Sequence, residues 1–160
     1  MKQLNLYLAA PFFNEEQEEF ERLVANTLNN NRSVNYVFQP KNLQTKETFG
    51  TTAWKKDVYE IDTKMIKKSD VVVAIGNFLE ENGEVVLDTG TAFEIGYAQA
   101  LGKPIALIIF NHVPEKTSLN VMVDMGTDYQ FSITKDEIQK ALFDFDFNKM
   151  TLHRENWKAI

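Results

Sequence analysis

Two carboxylates stand out by position in this 160-residue chain. Asp88 and Glu94 lie in the run Leu87-Asp88-Thr89-Gly90-Thr91-Ala92-Phe93-Glu94-Ile95-Gly96-Tyr97-Ala98-Gln99-Ala100-Leu101-Gly102-Lys103-Pro104. The run reads as a loop, a helix and a stop. Thr89 is placed to cap the helix by accepting from a free backbone N–H. Phe93, Tyr97, Ala100 and Leu101 recur at helical spacing, as a buried face would. Gly102 followed by Pro104 marks the C-terminus. Small residues (Gly90, Ala92, Gly96, Ala98) leave room for a ligand to approach Glu94. A solvated carboxylate near the favourable end of the helix dipole explains Glu94 equally well on this segment alone.

The remaining inventory narrows the chemistry. The chain has no cysteine, so it has no thiol nucleophile, zinc–thiolate site or disulfide framework. His112 and His153 lack metal-ligand spacing to any partner and read as surface histidines. No Gly-x-Gly-x-x-Gly follows the first strand, and no phosphate-binding Gly-x-x-x-x-Gly-Lys-Ser/Thr occurs. Ser69 precedes a buried strand without a nucleophile-elbow setting and reads as a cap. Carboxylates beside aromatics and amides remain. They suit glycosidic-bond cleavage, in which one acid protonates the leaving group and another attacks or stabilises a cationic sugar.

Composition bounds the partners. Hydrophobic content of 44% and charged content of 25% fit a single globular domain spanning residues 1–160. A formal charge of −6 argues against nucleic acid polymers and anionic membranes, which attract basic patches. No apolar run is long enough to span a bilayer, and the N-terminus lacks a signal peptide's apolar run and cleavage site. The expected location is the cytoplasm.

The elements that position the acids follow in order. Leu4–Ala10 reads as a buried strand, Pro11–Asn14 as a turn ending in an N-cap, and about 15–28 as a helix with Phe20, Leu23, Val24 and Leu28 on one face. Val34–Phe38 is a second strand, and 41–52 a polar loop of the kind that carries function. Thr52–Lys68 is a helix with Trp54, Val58, Ile61, Met65 and Ile66 at helical spacing. Val71–Ile75 and Ile105–Phe110 are buried strands on either side of the acidic loop 79–84 and the Glu94 helix. Beyond Asn111, a helix is expected within 133–145, and Phe143, Phe145 and Phe147 alternate as a short strand would. This alternation predicts an α/β three-layer sandwich with a mainly parallel, Rossmann- or flavodoxin-like sheet. Ligands in such folds sit beyond the carboxyl ends of the strands. Tyr7, Phe12, Phe13, Gln44, Asp88 and Glu94 all follow or end strands there.

The sequence resembles the nucleoside 2-deoxyribosyltransferases over most of its length. The likeness rests on Leu6-Tyr7-Leu8-Ala9-Ala10-Pro11-Phe12-Phe13, on Asp62 with Lys68-Ser69-Asp70-Val71, and on Asp88 through Ala98. Ser118-Leu119-Asn120-Val121-Met122 and Phe145-Asp146-Phe147-Asn148-Lys149 continue it. The resemblance implies that Glu94 is the nucleophile, forming a covalent deoxyribosyl ester that a second base attacks, with net retention. It implies that Tyr7 orients Glu94, that Asp62 faces the base, and that Asp88 binds sugar hydroxyls. If its apolar neighbours Ile61 and Met65 raise its pKa, Asp62 could donate a proton to the departing base. Gln44 would read the base, and Phe12 and Phe13 would wall its pocket. Asn120 and Met122 would complete the site of a neighbouring subunit in a homo-oligomer, a hexamer by resemblance. Substrates would be a deoxyribonucleoside and a free nucleobase, with no metal or organic cofactor.

Several family members end in a tyrosine that reaches the active site. This chain ends Glu155-Asn156-Trp157-Lys158-Ala159-Ile160, so Trp157 or the terminal carboxylate replaces it, or the contact is missing. Two alternatives remain open at this stage. One is an N-glycoside hydrolase of nucleosides or nucleoside 5'-monophosphates using the same glutamate, although Ala9–Phe13 offers no phosphate pocket. The other is a nucleotide- or sugar-sensing binding protein without turnover.

Overall fold

The computed structural model describes all residues, 1–160. Five strands form a fully parallel central sheet: β1 (Leu4–Ala9), β2 (Val34–Phe38), β3 (Val71–Ile75), β6 (Ile105–Phe110) and β8 (Tyr129–Ile133), in spatial order β2-β1-β3-β6-β8. This is the flavodoxin-like order, whose direction of winding reverses beside β1. Strands β1, β3 and β6 are almost wholly buried, because helices cover both faces.

Strand alternation divides the core in two. Leu6, Leu8, Val71, Val73, Ile75, Ile108 and Phe110 face α1 (Glu15–Asn29) and α5 (Ile138–Leu142). Tyr7, Ala9, Val72, Ala74, Leu107 and Ile109 face the side of α2 (Thr52–Lys68) and α3 (Thr89–Ala100). Asn14 caps α1 as expected, its Oδ1 accepting from the Gln17 amide at 2.9 Å. Thr51 caps α2 in the same way at 3.2 Å. Gly102 adopts φ +68° just past α3, the left-handed conformation that glycine takes without steric cost.

Four expectations need correction. Asp88, not Thr89, caps α3: its Oδ2 accepts from the Thr91 amide at 2.9 Å. The Asp side chain one residue earlier already satisfies that donor. The buried face of α3 is Thr91, Ile95 and Ala98, while Phe93 and Leu101 are exposed. A narrow face of small and branched residues lets the helix lie close on the sheet, which a row of aromatics would hold off. The acidic segment 79–84 is not a loop. It begins a hairpin of β4 (Leu79–Glu81) and β5 (Glu84–Val86), turned at Asn82 and Gly83, both at positive φ, as a type I′ turn demands.

The fourth correction concerns the tail. It supplies β8, which the apolar pattern does not reveal, and the helix expected within 133–145 is the short α5, after a 3-10 turn at Lys135–Glu137. Phe145 and Phe147 pack against the α1-side cluster, with Phe147 in a 3-10 turn and not a strand. A small second sheet, β4-β5-β7-β9, joins the hairpin to β7 (Ser118–Leu119) and β9 (Lys158–Ala159). It carries the chain into α4 (Val121–Gly126).

Asn31 ties the tail down. Its buried amide donates to the carbonyls of Leu142 at 2.6 Å and Phe145 at 2.8 Å and accepts from the Ser33 amide at 2.7 Å. Asn31→Ala strands these groups, which costs about 2–4 kcal/mol at roughly 1–3 kcal/mol per buried unpaired group. Urea unfolding should show a lower midpoint with an unchanged slope.

Candidate active site

Tyr7 lies in the middle of β1 with its ring wholly buried, and it points to the α2–α3 side. Its hydroxyl donates to Glu94 Oε1, one turn into α3, at 2.5 Å. Phe38 stacks on the Tyr7 ring with centroids 5.4 Å apart. Burial above all, and then the negative charge of Glu94, drive the Tyr7 phenol far above its usual range. It therefore stays protonated and can only donate to the carboxylate. Glu94 Oε2 takes no hydrogen bond within the chain.

Glu94 lines a cavity of about 290 Å³ between α2 and α3, walled by Trp54, Val58, Tyr59, Ile66 and Phe93. Asp62 lines the same cavity and leaves its buried Oδ1 without any partner. Burial raises Asp62 to about 6. Burial also pushes Glu94 up, opposed by the Tyr7 hydrogen bond and reinforced by the charges of Asp62 and Asp88, to about 8. Asp88 lies close enough to be felt by Glu94. Both of its hydrogen bonds, from the Thr91 amide and hydroxyl, fall on Oδ2, so Oδ1 is open to a ligand.

The other candidates lie elsewhere. Phe12 and Phe13 stack on each other, and Phe13 meets Phe78 edge-on, outside this cavity. Gln44 is exposed and forms no side-chain hydrogen bond. Asn120 caps α4, its Oδ1 accepting from the Met122 amide. Asn120 and Met122 line a larger hollow, about 570 Å³, on the other flank of α3 with Val86, Ile95 and Met125. Trp157 is buried in the α3-side cluster and donates its Nε1–H to Gln130 Oε1 at 2.9 Å. Trp157 does not line the Glu94 cavity. An oxygen of the Ile160 carboxylate accepts from the Val121 amide at the start of α4.

Sequence reasoning does not single out Trp54, Tyr59 or Phe93 as cavity walls. Their spacing on α2 and α3 marks only amphipathic helices. The available signal is an aromatic surplus on one flank, with Tyr59, Phe93 and Tyr97 in a row.

A sequence model described as nucleoside 2-deoxyribosyltransferase matches residues 6–150. The chain belongs to the nucleoside 2-deoxyribosyltransferase family. It is an enzyme, of a family that acts on nucleosides and nucleobases. A nucleoside deoxyribosyltransferase of Limosilactobacillus fermentum is 32% identical over 131 residues, covering 76% of this chain and 74% of that protein. The 2-deoxyribosyltransferase of Bacillus psychrosaccharolyticus superposes with a TM-score of 0.69 at 27% identity, over 94% of this chain and 98% of that one. A CMP N-glycosidase of Clostridium botulinum shares the fold, with a TM-score of 0.55 at 17% identity over 86% and 97% of the two chains. No helix is long and apolar enough to cross a membrane.

A buried carboxyl with a raised pKa costs the fold stability. Between the ordinary value of 4.5 and about 8, folding takes up a proton at Glu94, so stability falls as pH rises through that window. Glu94→Gln keeps an acceptor for Tyr7 and escapes the cost. It should be more stable than wild type by on the order of 3 kcal/mol at neutral pH, the difference shrinking towards zero below about pH 4.5. Urea unfolding at both pH values measures it, and a difference independent of pH contradicts it.

Proposed function

We propose that the enzyme transfers 2-deoxyribose between nucleobases through a covalent ester on Glu94. The observation that carries this reading is the part-buried Tyr7–Glu94 bond of 2.5 Å, which engages Oε1 alone on a residue lining the cavity. Oε2 attacks the anomeric carbon while the bond to the base breaks. The sugar becomes an ester, and a second base reopens it from the face the first one left, giving retention. A 2-deoxy sugar lacks the electron-withdrawing hydroxyl at C2, so its transition state is strongly cationic. Glu94 supplies the negative field for it, and Asp88, with its Oδ1 open, holds the sugar hydroxyls. Asp62, unpartnered and raised to about 6, delivers the proton to the departing base.

The two acids titrate as a pair, holding one proton between about pH 6 and 8. Turnover needs that proton on Asp62, and the cationic charge developing on the sugar favours ionised Glu94. The profile of kcat/KM against pH should therefore be bell-shaped. It rises through about 6, as the doubly protonated pair loses a proton, and falls through about 8, as the last one leaves. Asp62→Asn should lose the alkaline limb and most activity on purine nucleosides; unchanged purine turnover removes Asp62 from the mechanism.

Nucleosides, not nucleotides, are the proposed substrates. Lys55 is the lone cation lining the cavity, beside Asp62 and Glu94, and a phosphate would meet net negative charge. Phe12, Phe13 and Gln44 would meet the base from the β1 and β2 loops. Asn120 and Met122, on the other flank of α3 with Met122 78% exposed, would complete the site of a neighbouring copy.

The test is base exchange. Deoxyinosine or thymidine is incubated with and without adenine and analysed by chromatography. New deoxyadenosine establishes transfer, and the donor that works sets the purine or pyrimidine class. Base release that is indifferent to adenine, without new nucleoside, establishes a hydrolase instead. Glu94→Ala should fold and lose both activities, and near-wild-type turnover would remove its assignment.

A further inference from the structure

His112 follows β6, swung back over the strand end by Asn111 at φ +62°. Its Nδ1 lies 2.7 Å from the Phe110 carbonyl oxygen. A carbonyl only accepts, so Nδ1 carries a proton whatever the state of the ring. The same carbonyl also accepts from Asn77 Nδ2 at 2.9 Å, while Asn77 Oδ1 accepts from the Phe110 amide at 2.7 Å. Neither group can turn over to exchange roles. The other ring nitrogen, Nε2, lies 3.2 Å from Glu80 Oε2 on β4. Since Nδ1 is already a donor, Nε2 bears hydrogen only in the imidazolium. In the neutral ring, a lone pair faces a carboxylate.

We propose that His112 and Glu80 form a proton-dependent clasp that positions the β4–β5 hairpin, and through it Asp88. The clasp closes when His112 is charged and opens when it is neutral. The hairpin carries Glu80, Glu81 and Glu84, and the pair with His112 is the one ion pair any of them forms. Glu16, in the first turn of α1, is the other acid lining the hollow around the ring. Lys135, which sits over the neighbouring Phe20 ring, is paired with Glu19. The backbone of His112 is fixed separately, because Ser132 Oγ donates to its carbonyl at 2.7 Å. The ring's protonation therefore acts on the hairpin and not on the sheet.

The consequence for the site follows from connectivity. β5 ends at Val86, and Leu87 leads directly to Asp88, the cap of α3. Val85 of the same strand pairs with Leu119, which precedes Asn120. Few rungs hold the hairpin, so losing the clasp loosens the approach to both residues. The functional effect rests on reading Asp88 as a ligand of the sugar. It should fall on KM for the nucleoside and leave kcat nearly unchanged, since neither His112 nor Glu80 lines the Glu94 cavity.

The test compares wild type with Glu80→Gln in the full-length enzyme across about pH 5.5–8.5. The carboxamide that Glu80→Gln introduces can donate to neutral Nε2 and accept from protonated Nε2, so the variant keeps the clasp in both states. Side-chain ¹⁵N NMR reads His112 protonation, against His153 as the second histidine. In wild type, the backbone amide signals of residues 79–86 should move with the His112 ring; in Glu80→Gln they should not. Over the same range, the wild-type KM should rise about two- to fivefold relative to the variant, the worth of a surface ion pair, with a flat kcat ratio. The ratio cancels the titrations of Glu94 and Asp62, which both proteins share. Hairpin amides indifferent to the ring in wild type overturn the clasp. Amides that follow the ring with a flat KM ratio overturn its positioning role. If neither exchange nor base release is seen at any pH, the functional reading fails, and the NMR comparison still decides the clasp.

Discussion

A carboxylate has been taken out of water and given one neutral donor in exchange. The Tyr7–Glu94 bond joins the centre of the sheet to a helix of the covering layer. Most of the local architecture serves that closeness. The face of α3 towards the sheet is cut down to Thr91, Ile95 and Ala98, and the bulk of Phe93 and Tyr97 is turned to the flank. Phe38 fixes the Tyr7 ring by stacking on it. Asp88 starts the helix one residue before Thr89, which sets which turn presents Glu94 to β1.

Burial raises the pKa of this glutamate at a cost to the fold. A lone phenolic donor does not replace full hydration, so the pKa of Glu94 rises even though the hydrogen bond pulls it down. Asp62 is left with an orphaned oxygen for the same reason. A site built for stability would pair these acids with lysine or arginine. Cations there would oppose the charge that develops on a sugar losing its base. In the proposed reaction, an anionic, underhydrated cavity would favour the transition state over the resting one and disfavour substrates that bring their own phosphate.

The sequence carried the strands best. Val71–Ile75 and Ile105–Phe110 are unbroken apolar runs, and only a sheet covered on both faces accounts for two of them. The strand β8 escaped because Gln130 and Ser132 interrupt it. Gln130 is nonetheless buried and satisfied by Trp157 and the Glu155 amide, a solution that local pattern does not show. The Asn82-Gly83 hairpin signal was masked by its glutamates. On α3, apolar residues occur nearly all round, so periodicity did not choose a face, and packing against the sheet did. For the site, residue type and position singled out Glu94 and Asp88, and family likeness linked Tyr7 and Asp62 to them. The cavity walls on α2 and α3 became visible only when two helices distant in sequence were brought side by side. Gln44, Asn120 and Met122 do not line the Glu94 cavity.

The central claim is that Glu94 becomes bonded to the sugar during turnover. The direct measurement is acid quenching of the enzyme, mixed with deoxyinosine or thymidine and no acceptor base, followed by peptide mass spectrometry. A mass increase of one deoxyribosyl group on the peptide containing Glu94, discharged by adding adenine before the quench, is the predicted result. Steady turnover by an enzyme whose Glu94 peptide stays unmodified at every quench time, with the sugar found free or on another residue, would contradict it.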